Sequence, residues 1–188
     1  MKLIFPLIFF FFFFSGSTYT QNRLNFLNGL HVSLKAGFHT GDGEHIFDNF
    51  PPGFSIDGTM DHHTGKDWYV GLNYDISFAN DLYYGEDRSF TNYNFSANVK
   101  KRFFFKDADV YVGLALGTSS MSVNGSNNDK MIAMNFRAGA DFRIDKNVIA
   151  SFETVYLSMS EFDMGGGGRH HNIIQLKAGL GYVFTLDK

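Results

Sequence analysis

Six of the seven histidines, His39, His45, His62, His63, His170 and His171, fall in or beside two polar stretches near residues 41–66 and 159–170. Asp42, Glu44, Asp48, Asp57, Asp61 and Asp163 are their neighbours in sequence. Imidazole nitrogens and carboxylate oxygens together suit zinc, copper or nickel ions. If the two stretches meet in the fold, His62, His63, His170 and His171 are candidate metal ligands. Adjacent histidines are a weaker arrangement than a pair four apart on a helix, and the same residues read equally as solvated loop histidines.

A second constellation is ionic. Lys35, Asp75, Lys100, Arg102, Arg137, Asp141, Arg143, Glu153 and Lys177 sit inside otherwise apolar segments. Among them Arg137, Asp141, Glu153 and Lys177 fall at comparable positions in neighbouring segments. Such a network could gate a narrow conduit, or its members could simply neutralise one another in a sealed interior. Gly165 to Gly168 invites a phosphate-loop reading, but no Lys-Ser or Lys-Thr follows, so it reads as a flexible loop tip.

The elements that must carry these groups alternate strictly. Trp68, Val70, Leu72, Tyr74, Ile76 and Phe78 are apolar, and Tyr69, Gly71, Asn73, Asp75 and Ser77 lie between them. A strand turns successive side chains to opposite faces, so this spelling predicts one apolar and one polar face. The pattern recurs in six stretches of about the 9 to 11 residues that a tilted strand needs to cross a bilayer. Strands are predicted at Leu30 to Gly41, Asp67 to Phe78, Leu82 to Gly85, Ser89 to Phe104, Asp109 to Ser119, Met131 to Ile144, Val148 to Ser158 and His171 to Thr185. The short third segment is kept because a closed single-chain barrel needs an even count.

Ala79-Asn80-Asp81, Lys106-Asp107-Ala108 and Asp145-Lys146-Asn147 read as tight turns. Gly41 to Lys66, Ser120 to Lys130 and Met159 to His170 read as long loops, with Pro51-Pro52 in the longest, where a missing amide donor does no harm. In a closed barrel the first and last of these loops would be neighbours. Bulky residues such as Leu34, Phe95, Leu114, Phe136 and Leu180 cannot all fit inside eight strands. The small and charged face is therefore predicted to point inward. Turning its six basic residues to lipid would cost about 2 to 4 kcal/mol each at mid-depth. The seventh strand is ambiguous, since Ile149, Val155 and Leu157 compete with Val148, Phe152 and Tyr156 for the outer face. Trp68 and Tyr93 are expected toward the loop side, and Phe78, Phe103, Phe142, Tyr182 and Phe184 toward the turn side, as interfacial girdles.

The amino terminus is of different material. Lys2 precedes an apolar run from Leu3 to Phe14 with six consecutive Phe, and small polar residues follow to Thr20. That reads as a secretory signal peptide over residues 1–20, cleaved before Gln21 or near Ser17, leaving one domain over 21–188. Its apolar run is too short for a spanning helix. Without Lys2 the chain carries 15 basic against 19 acidic residues, and its longest basic run is Lys100-Lys101-Arg102. That excludes the electrostatic footprint of a nucleic-acid binder. There is no cysteine for a disulfide framework or a lipid anchor. Mean hydropathy is slightly negative, because alternation averages out.

At the carboxyl end, Lys177, Gly179, Tyr182 and Phe184 resemble the last-strand signal read by the outer-membrane assembly machinery: a polar residue, Gly, then two aromatic positions. Thr185 to Lys188 follow where such proteins often stop at the aromatic. Together with alternation and the amino-terminal segment, the mature chain is similar to the small outer-membrane β-barrels of the porin-like superfamily of Gram-negative bacteria. The resemblance implies an all-β, transmembrane, antiparallel up-and-down barrel of eight strands in the outer membrane. It implies partners in outer-membrane lipid and the assembly machinery, an extracellular ligand through the loops, a monomer, no cofactor and no nucleic acid. The implied role is structural, adhesive or interactive rather than catalytic.

Two alternatives stay open. Some barrels of this size act on lipid A as acyl hydrolases or acyltransferases, and Ser158, Ser160, Glu161, His170 and His171 have suitable types near a rim. The deacylases' His-x-Ser-Asn pattern is nevertheless absent at Arg169-His170-His171-Asn172. A soluble periplasmic β-sandwich would also alternate, burying its bulky face between two sheets.

Overall fold

The computed structural model describes residues 29–41, 52–83, 86–106, 108–124, 126–161 and 170–185. The amino-terminal segment 1–20 and the Gly165 to Gly168 run lie outside the described residues.

Eight strands run in sequence order: β1 (Gly29–Gly41), β2 (Gly53–Gly65), β3 (Trp68–Tyr83), β4 (Glu86–Phe104), β5 (Ala108–Val123), β6 (Ser126–Arg143), β7 (Val148–Glu161) and β8 (His170–Thr185). Each pairs antiparallel with the next, and β1 closes on β8 from Gly29↔Thr185 to Gly41↔Ile173. Closure leaves no unpaired strand edge, which is what a sheet needs to stand in hydrocarbon. The all-β, eight-stranded transmembrane barrel expected from the sequence is the fold observed.

The bulky face points outward: Leu34 is 64% exposed, Leu116 63%, Leu176 62% and Leu180 59%. β7 resolves in the same way, with Phe152 outward and Ile149, Val155 and Leu157 buried inward. A sandwich would bury the bulky face instead, so that alternative falls.

The strand count of eight is met by a different set of strands. Leu82 and Tyr83 form no separate strand, and Tyr84 and Gly85 lie outside the described residues: β3 runs unbroken through Ala79-Asn80-Asp81, whose residues pair with Phe90, Ser89 and Arg88 of β4. The missing strand is β2, inside the stretch read as the longest loop. It pairs with β1 from Leu30↔His62 to His39↔Gly53 and with β3 from Gly53↔Ala79 to Gly65↔Trp68. Lys66 and Asp67 make a two-residue turn at positive φ, 49° and 73°, and the Thr64 hydroxyl donates to the Trp68 carbonyl at 3.1 Å. Most of Ser120 to Lys130 is likewise strand, β5 and β6 meeting across Asn124 at φ 51°.

The connections from β2 to β3, β4 to β5 and β6 to β7 share one end of the barrel with Gly29 and Thr185; this is the turn side. The connections after β1, β3, β5 and β7 define the loop side. Because β3 ascends from the turn side, Trp68 lies there and Phe78 lies toward the loop side, the reverse of the sequence expectation. Trp68 carries the Lys101 ammonium 5.2 Å over its ring, and Phe38 and Phe54 meet edge to face at 6.3 Å near the loop side.

Candidate functional site: a charged plug across the lumen

Alternation sends one side chain in two into the bore, and the inward set is small, polar or ionised. Asp57 on β2 is its hub. The Arg137 guanidinium of β6 donates to Asp57 at 2.9 Å through Nη2 and to Glu153 of β7 at 3.0 Å through Nη1. Lys35 of β1 lies 3.5 Å from Asp57 and 3.2 Å from Glu153. Lys177 of β8 lies 3.5 Å from Asp57 and pairs directly with Asp75 of β3. β2 and β6 are four strands apart in a ring of eight, so the Arg137 and Asp57 side chains meet across the full bore.

Toward the turn side lies a second tier. Lys100 pairs with Asp61 at 2.7 Å and Arg102 with Asp141 at 2.5 Å. Ser151 donates to the other Asp141 oxygen at 2.6 Å, and the Tyr111 hydroxyl donates to Glu153 at 2.9 Å. The Arg102 guanidinium sits 4.7 Å over the Tyr69 ring and 5.3 Å over that of Tyr111. Gly139 is where Tyr111 packs: a Cβ there would stand 2.6 Å from the phenol carbon and oxygen.

Toward the loop side the charges give way to amides. Gln175 donates to Asp75 at 3.2 Å and to Ser77 at 3.1 Å, and Asn135 donates to Ser96 at 3.2 Å. Above the amides apolar side chains join the inward face, beside the buried His171 and Asn92. Ala79, Met121, Met131, Ala133, Leu157, Met159 and Ile173 form one buried cluster, with Phe90 packed against it. An eight-stranded interior is just wide enough to be filled by side chains, and here it is filled by ion pairs below and a largely apolar cluster above.

Of the residues predicted to form the lumen network, Lys35, Asp75, Lys100, Arg102, Arg137, Asp141, Glu153 and Lys177 are all buried in it. The pairing differs in detail, since Asp141 binds Arg102 rather than Arg137. Arg143 stands apart: its side chain is 38% exposed at the turn-side end, where it reaches Asp109 at 3.7 Å. Sequence reading missed Asp57, Asp61, Asp109 and Tyr111 as lumen groups. Ser55, Asp57, Thr59 and Asp61 alternate with Phe54, Ile56 and Met60, a legible signal masked by the Pro51-Pro52 context. Among the described residues, the ion pairs use six cations and six carboxylates, so the plug is electrically balanced.

The four candidate metal ligands are not brought together. His62 faces out near the turn side, in register with Leu30, and His63 lies with its ring 5.0 Å from Tyr69. His171 is buried at the loop-side end of β8, about 40 Å away along the strand direction. His170 is in register with Ser160, and its side chain lies outside the described residues. The error follows from reading β2 as loop, which placed both histidine pairs at one end. Of the acyl-transfer candidates, Ser158 and Ser160 follow the outward column of β7, where Ser160 is in register with His170, whereas His171 points into the bore.

The proposed assembly signal occupies the β1–β8 seam. Lys177 is in the lumen, and Tyr182 and Phe184 face out with rings 4.7 Å apart, edge to face. A Cβ at Gly179 would fall 2.0 Å from the Leu34 carbonyl oxygen, so the close approach that shuts the barrel requires glycine there.

The family model for the outer membrane protein beta-barrel domain matches residues 8–184. No curated protein matches the sequence. Among solved structures the chain is similar to Neisserial surface protein A (NspA), with 16% identity and a TM-score of 0.67 over 82% of this chain and 97% of that one. It is also similar to the outer membrane protein OprG of Pseudomonas aeruginosa, with 11% identity and a TM-score of 0.54 over 85% of this chain and 98% of that one. At these identities the likeness is one of fold.

Proposed function

The chain belongs to the outer membrane protein beta-barrel domain family, and from that premise we propose a non-catalytic outer-membrane protein that acts through its loop-side surface in adhesion, surface interaction or envelope structure. The observation that carries this reading is the filled bore. Arg137 and Asp57 span it from opposite walls, and the apolar cluster around Met131 and Met159 lies over the polar tiers, so among the described residues side chains fill the axis at both levels. A barrel that transports nothing along its axis presents only its lipid face and its two ends to other molecules. Gly41 and Gly53, and Glu161 and His170, are the strand ends from which its longer loop-side connections leave.

In the same reading, residues 1–20 are removed on export and the chain over 21–188 inserts as a monomer. The assembly machinery reads Lys177, Gly179, Tyr182 and Phe184 on the last strand. The lipid A enzyme is the weaker reading, because His171 lies on the opposite face of the sheet from Ser158 and Ser160, and the deacylases' His-x-Ser-Asn pattern is absent beside His170. Surface proteolysis of intact cells followed by crosslinking from the loop side tests the proposal. We expect cuts confined to the loop-side connections and crosslinks to an external or neighbouring envelope component. Altered acylation of lipid A in cells with the protein, against cells without it, would overturn the non-catalytic reading.

A further inference from the structure

The outward column of β5 changes character along its length. Val110, Val112, Leu114 and Leu116 are apolar, and Thr118 and Ser120 follow. The register partners on either side stay tall: Phe95 and Ile132 flank Thr118, and Tyr93 and Lys130 flank Ser120. Two short side chains between tall walls leave a groove of about 540 Å³ on the outer surface, in the loop-side half of the barrel.

The groove is continuous with the apolar belt, so hydrocarbon is what lies against it; an unfilled hollow would forfeit contacts along its whole lining. Its chemistry is graded. Phe95, at 52% exposure, and Ile132, at 50%, wall the lower part, while Tyr93, Ser120 and Lys130, in register with one another, line the top. Lys130 is exposed and makes no ion pair or ring contact with any described residue. Lys101, at the other edge of the belt, lies instead over Trp68. A cation on the lipid-facing surface is tolerated near the interface and costly at mid-depth, which puts Lys130 at headgroup level.

We propose that this groove is a lipid site: an acyl chain lies over Thr118 between Phe95 and Ile132, and an anionic phosphate headgroup is held by Lys130 with the hydroxyls of Ser120 and Tyr93. The occupant is a lipid of the loop-side leaflet, selected by charge at the top and by shape below. The inference rests on the barrel spanning a bilayer. Heat-shifted gel mobility of the unaltered chain reports that premise separately.

The test uses the full chain folded in a non-ionic detergent, with equal amounts of dioleoyl phosphatidate and dioleoyl phosphatidylcholine, read by native mass spectrometry. The two probes share their acyl chains and differ in net headgroup charge. One lysine at a membrane surface predicts about a fivefold preference for phosphatidate. Lys130→Ala is expected to bring the ratio near one while both lipids still bind. Thr118→Trp, or the gentler Thr118→Leu, fills the groove and is expected to lower retention of both, with gel mobility confirming that each variant is folded. Equal retention of the two lipids by the unaltered chain, an unchanged preference in Lys130→Ala, or unchanged adducts in both folded Thr118 variants would overturn the proposal.

Discussion

Arg137 and Asp57 stand on strands that face each other across the barrel, and their side chains meet at 2.9 Å in the middle. The long Arg137 side chain reaching to the Asp57 carboxylate thus does what no backbone hydrogen bond in the barrel does: it ties opposite walls together. Both are buried, so the pair is worth far more to keep than to lose one half of. Replacing a buried ion pair by hydrocarbon can be neutral, but removing one partner strands a charge.

Asp57→Ala is therefore expected to destabilise the folded barrel by about 3 to 5 kcal/mol, since it leaves Arg137, Lys35 and Lys177 sharing only Glu153 and Asp75. Arg137→Ala should act similarly. The double variant should lose less than the sum of the two by about 1 to 3 kcal/mol, as partners in one network do. Denaturant unfolding from lipid vesicles checks this, and strict additivity would mean that the contact across the bore carries no energy.

β2 supplies a second test, because the sequence reading and the structure disagree over it. Paired on both sides, the amides of Gly53–Gly65 are expected to exchange as slowly as those of β3, and far more slowly than unpaired loop amides. Hydrogen exchange followed by mass spectrometry reads this directly. Loop-like exchange across Asp57 to Asp61 would remove β2 from the barrel.

The reason β2 hid in the sequence is physical. Its lipid-facing column reads Phe54, Ile56, Gly58, Met60, His62, so a glycine and a histidine interrupt the apolar rhythm, and the prolines before it mimic a loop. Ala79-Asn80-Asp81 misled in the opposite sense, being turn-forming residues held extended by pairing with β4. Where one face was bulky and the other small or charged, as on β1 and β5, side chain direction was legible from volume and charge alone. On β7 it was not, because Val155, Leu157 and Met159 face inward, the last two into the apolar cluster, and make both faces hydrophobic. No local feature says which end of the barrel a histidine occupies. That depends on counting strands correctly, and one missed strand put His62 and His63 at the wrong end.

The Lys66-Asp67 turn is a place where the sequence is poorer than its geometry. Both residues have positive φ, as a type I′ hairpin turn requires, yet neither is Gly or Asn. Lys66→Asn combined with Asp67→Gly supplies the preferred pair and is expected to stabilise the barrel by about 0.5 to 1 kcal/mol. The same unfolding measurement decides it, and a loss of stability would show that these side chains make contacts that outweigh their backbone strain.

Two tiers of described side chains fill the bore in series, and they differ in kind. The ionic tier fills it by pairs that reach across, with Arg137, Asp57 and Glu153 at the centre; the loop-side tier fills it largely by apolar volume, with Met131, Met159 and Ile173. An ion must pass both, and dehydration at an apolar constriction is a barrier whatever the charges below it. Truncating the first tier alone, as Asp57→Ala, Arg137→Ala and Glu153→Ala together, is thus expected to leave the barrel non-conducting. Truncating Met131 and Met159 alone should do the same, because the ion pairs remain. Steady conductance steps across a planar bilayer are expected only when both sets are combined, in protein whose heat-shifted gel mobility shows it folded. Conductance from the first set alone would mean that the apolar tier does not seal. Silence from the folded combined variant would place a further seal outside these two tiers.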